Sequence, residues 1–432
     1  MRMSPTPVLP AVPVGDPVPG VERVVLSLNA GSSSLKFGLY RVVGASVEEL
    51  MSGEAQSVGE AQSRFEIRYA GDEPQAQASA HPELLHRPGL AATLAHIREG
   101  MAHRRLPAPQ AIGHRIVHGG PRLNRHCLID DVVRHQLESA TAFAPVHMPL
   151  ALALIDCARD QFRGLPQIAC LDTSFHANLP RVASVLPLPR ALRIEGLRRY
   201  GFHGLSCESI LHRLGADCPA RAVIAHLGSG ASITAVRDGM SIDTSMGLTP
   251  TGGVIMGTRS GDLDPGILIY LLRNKGYDAN ALEQLVDLGS GLLAISGLDA
   301  DMRRLHRAGP GDIDAQLAIA IFCRTVRKQI AAMTAVLEGL DLLVFTGGIG
   351  ENDAVVRAAI CRGMSWVGLE LDESRNAAAA VGWSAQPAEI GAAGRPVRVI
   401  VAASREDEQI ARCSERLLAQ RESARPAARA TA

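Results

Sequence analysis

The chain has no excess charge of either sign: 44 Lys and Arg balance 44 Asp and Glu over 432 residues. Nucleic acids and anionic membranes select clustered Lys and Arg, so neither is expected as a partner, and a small molecule is. No apolar run reaches the roughly 18 to 20 residues that a membrane helix needs. The eight cysteines are scattered, with no Cys-x-x-Cys pair. Prolines at 5, 7, 10, 13, 17 and 19 interrupt the N-terminal stretch, which leaves no apolar core for a secretory signal there. Reduced thiols and a cytoplasmic location are the expectation, with residues 1–20 a disordered Pro-rich extension. Two nucleotide signatures are also missing. No Gly-x-x-x-x-Gly-Lys-Ser/Thr loop occurs, and no Gly-x-Gly-x-x-Gly opens a helix after a strand, which argues against a Walker ATPase and a Rossmann dehydrogenase. No His-x-x-x-His pair with a third ligand sits on an evident helix, so zinc is not expected.

What is present is an alternation of strands and helices, the mark of an α/β fold. Val24, Val25, Leu26 and Leu28 read as a buried strand, Gly31-Ser-Ser-Ser34 as a tight turn, and Leu35, Phe37 and Leu39 as an alternating return strand. A near-copy follows at Ala222 to Leu227, Gly228-Ser-Gly-Ala-Ser232 and Ile233 to Val236, which points to internal duplication. Helices are expected near 88–104, 150–161, 266–274, 279–287, 313–338 and 405–420. Strands are expected at 111–117, 167–171 and 342–345. The division falls near Asp172, with the final helix returning to the first half: 21–172 plus 404–420, then 173–403, then a disordered tail at 421–432.

Three small-residue turns follow apolar strands: Gly31 to Ser34, Gly228 to Ala231 and Gly347 to Gly350. Consecutive backbone N–H groups in such turns form concave anion sites that a phosphate can approach closely. Each alone is an ordinary hairpin or turn; three together favour nucleotide phosphates. Two hairpin loops and a later Gly-Gly strand end are the layout of the actin, Hsp70 and sugar-kinase superfold, where ATP sits between the domains. Arg115 and Arg259 lie in glycine-rich surroundings that leave a guanidinium uncovered, His203 lies between glycines, and His226 stands at the second turn. A buried, hydrogen-bonded histidine is the alternative for both imidazoles. Asp172, or Glu406 with Asn29, offers oxygen ligands suited to Mg²⁺, and a helix N-cap is the alternative for Ser404-x-Glu406.

Together these segments resemble the acetate kinase family, the acetokinase branch of that superfold, from about residue 22 to 415. The text that carries the resemblance is Leu28-Asn-Ala-Gly-Ser-Ser-Ser-Leu-Lys36, Gly113-His-Arg-Ile-Val-His-Gly-Gly120, Asp172-Thr-Ser-Phe-His176, Arg199-Tyr-Gly-Phe-His-Gly204, Asp243 to Pro250, Met256-Gly-Thr-Arg259, Asp301-Met-Arg303 and Gly348-Ile-Gly-Glu-Asn352. The resemblance implies two duplicated actin-like (ribonuclease H-like) domains around an ATP cleft, the second binding the nucleotide. It implies reversible, in-line transfer of the γ-phosphoryl group of ATP to acetate, with propionate as the alternative acceptor, in a homodimer. It implies catalytic roles for Arg115, Asp172, His203 and Arg259. It places Mg²⁺, or Mn²⁺, at Asn29 and Glu406, with Asp407 the alternative one residue on. Val117, Val146, Phe202 and Pro250 fall in the acyl pocket, with Arg115 on the carboxylate. Nucleotide contacts fall on Lys36, on His226, Leu227, Gly228, Ser229 and Gly230, on Asp301, Met302 and Arg303, and on Gly348, Ile349, Gly350, Glu351 and Asn352.

The chemistry of the acceptor agrees with that set. A short carboxylate is ionised at neutral pH, with a pKa near that of Glu at about 4.3, so a strong base is not required. Charge repulsion against the γ-phosphate is the obstacle, and two arginines with a divalent cation offset it. Asp172 therefore reads as ordering metal-bound water or the site. Four places depart from the family text: Ser229 where Asn is usual, Met148 within His147-Met-Pro149 where Asn is usual, Val146 where Leu is common, and Thr251-Gly-Gly253 where a bulkier acidic segment is usual. Loss of one methylene at Val146 enlarges the pocket, and a methylene is worth about 1 to 3 kcal/mol of discrimination. A sugar or polyol kinase of the same superfold needs Asp, Asn and Gln around a hydroxyl, and a non-catalytic nucleotide binder does not need this Arg, His and Asp set.

Overall fold

The computed structural model describes residues 22–31, 34–56, 62–72, 83–86, 89–379 and 386–424. The predicted Pro-rich extension, Ser32 and Ser33 of the first turn, and 425–432 of the predicted tail lie outside them.

Eight strands form a first sheet: β1 (Glu22–Ala30), β2 (Ser34–Val43), β3 (Ser46–Gln56), β4 (Gln62–Tyr69), β5 (Glu83–His86), β6 (Ala111–Ile116), β7 (Cys127–Leu128) and β8 (Gln167–Leu171), in the order β5-β4-β3-β2-β1-β6-β8-β7. A second sheet holds β9 (Arg221–Leu227), β10 (Ala231–Arg237), β11 (Met240–Thr244), β12 (Leu342–Thr346), β13 (Ala388–Glu389) and β14 (Arg398–Val401), in the order β11-β10-β9-β12-β14-β13. The two sheets repeat one plan. A three-strand antiparallel meander is joined through its first strand to a parallel strand (β1 to β6, β9 to β12), then to another (β8, β14), then to a short antiparallel edge. The duplication read from the paired hairpins thus extends to six strands of each sheet, with β4 and β5 added on the first alone.

Strands buried on both faces carry unbroken apolar runs, as parallel strands flanked by helices do. All five residues of β8 and of β12 are buried. The Glu406–Ala424 helix packs on β1, β2 and β6 of the first sheet, burying Ile410, Ala411 and Leu418 against Val25, Tyr40 and Cys170. Gly113 on β6 makes this approach possible, because a Cβ there would stand 2.4 Å from the Ile410 Cγ2 and 2.5 Å from the Ser414 Oγ. On the second sheet, the Ile313–Leu337 helix lies across β9 and β10.

Predicted elements recur with small shifts at their ends. Helix 150–161 begins earlier, at Met148, with Pro149 in its first turn, where the missing N–H costs nothing. The last helix runs to Ala424 rather than 420; Leu418 and Ala419 are buried and Glu422 pairs with Arg23 at 2.8 Å. The Gly347 turn closes into a short helix, Gly347–Asn352, because the Glu351 carboxylate accepts from the Gly347 N–H at 2.9 Å. Strands β3 to β5 extend the first sheet beyond the predicted hairpin.

Candidate active site

The predicted residues cluster at the carboxyl ends of the parallel strands, where the backbone leaves a strand and its side chains are free to face a ligand. Asn29 and Arg115 are each the last residue but one of their strands, β1 and β6, and Asp172 follows β8. On the second sheet the Gly228–Gly230 turn follows β9, the Gly347–Asn352 helix follows β12, and Ser404 to Asp407 follow β14.

Arg115 is the hub of the first group. Its Nε and Nη2 donate to one oxygen of Asp172 at 2.8 and 2.6 Å, and its Nη1 donates to the Asn29 Oδ1 at 3.3 Å. The Asn29 amide in turn donates to the Glu406 Oε2 at 3.2 Å. Asp172 is fully buried. Burial raises its carboxyl to about 6, and the Arg115 guanidinium opposes that rise. Burial also raises Asp407 to about 6, partly offset by Lys36 and by a hydrogen bond from Asn29. Burial acts in the same direction on Glu406, but Arg115, Lys36 and the Asn29 hydrogen bond outweigh it and hold that carboxyl below its usual range. Lys36 is exposed and stands directly across the ladder from Asn29.

A hard cation fits here. Asp172 and Asp407 each keep one buried oxygen, Oδ1, with no hydrogen-bond partner, and a buried carboxylate oxygen left so is costly unless something cationic reaches it. Among the described residues, the one set of three His, Cys, Asp or Glu ligand atoms lying within 4.8 Å of one another is elsewhere, at His126, Glu208 and Cys413. That set works as a hydrogen-bonded strut. The Leu171 N–H donates to the His126 Nδ1 at 3.0 Å, so the proton sits on Nε2, which faces Glu208 at 3.4 Å and offers no lone pair to a metal. Gln409 also donates to Glu208 at 3.0 Å, tying the helix of Glu406 to the strand end of Asp172.

The second group surrounds Arg259 and His203. Nη1 of Arg259 donates to the Pro250 carbonyl at 3.3 Å, and Nη2 donates to the His147 Nε2 at 3.1 Å. His147 is therefore neutral; burial and the two nearby arginines, Arg259 and Arg115, lower it to about 3. His203 adopts φ +56°, ψ +29°, a left-handed conformation that a non-glycine residue adopts at a cost and that marks functional sites. The next residue must be small: a Cβ on Gly204 would lie 2.2 Å from the Asp172 carbonyl oxygen. Burial, with His226, Arg115 and Arg259 nearby, pushes His203 well below the usual imidazole range. Its Nδ1 meets the Ser232 hydroxyl at 2.9 Å and its ring stacks on His226 at 4.1 Å. Gly230 closes the group, since a Cβ there would come within 3.1 Å of the Arg259 Nη1 and 3.3 Å of the His203 Nε2. Val117 and Phe202 are buried in one apolar cluster with Met148, while Val146 is half-buried beside His147.

The predicted nucleotide residues form a third group. The Gly228 turn abuts the Gly347 segment, and the Gly257 N–H donates to the Ser229 carbonyl at 3.2 Å. Ser229, Gly348 and Asn352 are exposed, Leu227 and Gly350 are buried, and Gly228, Gly230 and Ile349 lie between. Asp301 caps the helix Met302–Ala308 and chelates the exposed Arg303. Glu351 turns inward, its Oε1 accepting from the N–H groups of Gly347 and Ser404 at 2.9 Å each. His226 holds Ser206 at 2.8 Å, and Ser206 holds Ser404 at 3.0 Å.

Sequence reasoning missed four contributors. His147 stands in the quoted His-Met-Pro text but carries no expected role. Ser232 lies in the repeated turn but carries no expected role, and Ser206 leaves no signal at all. Arg357, 1% exposed, donates to the carbonyls of Gly350, Glu351 and Asn376 and so braces the Gly347 helix; an arginine in an otherwise apolar helix, Ala354–Cys361, is the trace it leaves.

The model of the acetokinase family matches residues 24–412. The chain belongs to the acetokinase family. It is 40% identical over 414 residues to an acetate kinase of Methylocella silvestris, covering 93% of this chain and 99% of that one, and 39% identical over 405 residues to one of a Synechococcus strain, covering 91% and 99%. Among solved structures it is similar to a propionate kinase from Francisella tularensis, with a TM-score of 0.82 and 33% identity over 91% of this chain and all of that one. The acetate kinase of Porphyromonas gingivalis gives a TM-score of 0.79 and 30% identity over 92% of this chain and all of that one. As an acetokinase the chain is a phosphotransferase with a carboxyl group as acceptor, and its two sheets belong to two actin-like domains.

Proposed function

We propose that the chain transfers the γ-phosphoryl group of ATP to acetate, reversibly and in line, in the cleft between the two sheets. The observation that carries this reading is the pair of arginines, Arg115 and Arg259, each anchored by protein acceptors and each within electrostatic reach of neutral His203. Two fixed guanidinium groups offset the repulsion between a carboxylate and a phosphate, and a neutral imidazole offers a hydrogen bond without adding charge. Arg115 holds the acceptor carboxylate, Arg259 and His203 hold the moving phosphoryl group, and Asp172 keeps Arg115 in place. Val117, Val146, Phe202 and Pro250 take the methyl group. Glu406 and Asp407, bridged by Asn29, hold Mg²⁺, which supplies charge neutralisation on the phosphate oxygens. Lys36, the Gly228–Gly230 turn, the Asp301–Arg303 segment and Gly348 to Asn352 line the nucleotide. The functional halves are 21–172 with 404–420, and 173–403.

Val146 gives room for one more methylene, so propionate is the second acceptor, with acetate preferred. The enzyme works in the cytoplasm as a homodimer. The Pro265–Asn274 helix, which has no buried residue and presents Ile267, Ile269, Tyr270 and Leu272 to solvent, is the face on which a second copy docks. ADP release that requires acetate, compared with propionate and glucose as acceptors, tests the reading; acetate-independent release, or release with glucose alone, contradicts it. Sedimentation at micromolar concentration tests the dimer.

A further inference from the structure

Away from the cleft, the segment 181–198 folds around a cavity of about 400 Å³ lined by Arg181, Arg190, Arg193 and Arg198, with Val185, Ile194 and Leu197 supplying carbon walls. Its volume lies in the range of small-molecule sites. Four arginines border this one space, and proteins ordinarily set carboxylates among such a cluster. None lines this cavity, and among the described residues no Asp or Glu forms an ion pair with any of the four. The Nε of Arg193 is buried with no hydrogen-bond partner, and a buried, charged donor left so carries the full cost of its desolvation. Arg198 has a ring instead of an anion, its guanidinium lying 4.6 Å above Tyr200.

We propose that this cavity binds a small organic polyanion, a molecule with two or more carboxylate or phosphate groups on a short carbon skeleton. Guanidinium forks match the planar geometry of carboxylates and the oxygens of phosphates, and are weakly hydrated, so they bind such groups with little desolvation cost. The apolar walls suit the skeleton and disfavour a bare inorganic ion. The site is separate from the residues that hold nucleotide and acetate, yet it adjoins them: Tyr200 meets His118 at 4.5 Å, and His118 meets Phe202 of the acyl pocket at 5.5 Å.

The test uses tricarballylate as probe, with its neutral triamide as control, at constant ionic strength and without ATP or metal. Calorimetric titration of the full chain is expected to give saturable binding of the trianion and none of the triamide. The double variant Arg190→Ser/Arg193→Ser should bind at least about tenfold more weakly, an expectation from the loss of two charged hydrogen-bonding groups, while keeping wild-type ADP release with acetate. Should the double variant fold poorly by circular dichroism, the exposed Arg190→Ser alone serves, with a smaller loss expected. No saturable binding, or equal binding by wild type and variant, overturns the proposal. So does a variant that changes only the sedimentation coefficient, because the arginines then serve a protein interface.

Discussion

Arg115 spends two of its donors on a single oxygen of Asp172, at 2.8 and 2.6 Å, while the other oxygen of that carboxylate is buried and has no partner. The first relation fixes the guanidinium before any substrate arrives; the second leaves a buried carboxyl oxygen with no partner of its own, at a cost that a cation or a donor would relieve. A buried pair of this kind contributes little net stability, because desolvating both charges offsets their attraction. Its value lies in preorganisation.

Asp172→Asn should damage catalysis and folding together, because removing one partner of a buried pair leaves the other charge uncompensated, at a cost of about 3–5 kcal/mol. With the charge gone, Arg115 loses its anchor. The expected loss is about 10²- to 10³-fold in kcat, the range seen when a preorganised electrostatic group is removed. Steady-state kinetics with acetate and ATP, alongside a thermal melt, measure it; a normal kcat with a lowered Tm contradicts the assignment.

His147 is a positioning residue for Arg259, to which it offers the Nε2 lone pair. His147→Ala should lower kcat/KM by about 10- to 100-fold, as a hydrogen bond to a charged group is worth roughly 1.5–3 kcal/mol. His147→Gln, whose amide oxygen can accept the same bond, should recover part of that loss. Equal losses in the two variants would indicate a role in packing alone.

Gly113→Ala tests the seating of the Glu406 helix on the first sheet. The new methyl would lie 2.4 Å from the Ile410 Cγ2, and overpacking of this kind costs about 1–3 kcal/mol. Displacing the helix moves Glu406 and Asp407, so the divalent-metal concentration for half-maximal activity should rise together with the fall in Tm. An unchanged metal requirement would separate this helix from the metal site.

Stability should drop steeply in mild acid. Burial lowers six histidines: His114, His118, His176 and His226 to about 4, His147 to about 3, and His203 well below its ordinary value. Below pH of about 6.5 the unfolded chain takes up these protons and the folded chain does not, so this contribution is complete above that pH and is lost as pH falls toward 4. Asp172 and Asp407, raised to about 6, work in the opposite sense, because between about pH 6 and 4 the folded state keeps protons that the unfolded state releases. Burial also raises Glu49, Asp243, Glu351 and Glu415, which act in that opposite sense but chiefly at lower pH; between pH 7 and 5.5 the six histidines, whose unfolded value lies near 6.5, dominate, and each net proton is worth about 1.4 kcal/mol per pH unit. Denaturant melts at pH 7 and pH 5.5 should differ by several kcal/mol, and equal midpoints would contradict the burial of these imidazoles.

The parts of the fold that are legible in the sequence are those in which one chain segment carries its own signal. Val24 to Leu28 and Ala222 to Leu227 are apolar runs that end in glycine turns, and the paired hairpins announce the duplication. Helix ends shift by only a few residues. Strands β3 to β5 are less legible because their pattern is mixed, with exposed and buried positions interleaved along β3. In the site, Arg115, Arg259 and His203 stand out through flanking glycines. His147, Ser206 and Ser232 do not, because their roles come from partners at least twenty residues away in sequence, and Arg357 does not, because its bracing bonds run to backbone carbonyls that no residue type marks. Asn29 illustrates the limit: its residue type points to a metal, yet its oxygen accepts from Arg115 and its amide joins Glu406, relations set by three separate segments.

The most direct test of the central claim is chemical capture of the product. Purified chain incubated with ATP, Mg²⁺ and acetate in the presence of hydroxylamine should yield acetyl hydroxamate in step with ADP. Arg115→Ala and Arg259→Ala, each correctly folded by circular dichroism, should each lose at least about 2.7 kcal/mol of transition-state stabilisation, roughly a hundredfold in rate. Absence of hydroxamate from acetate and from propionate with the wild-type chain, or undiminished hydroxamate formation by either arginine variant, would contradict the account.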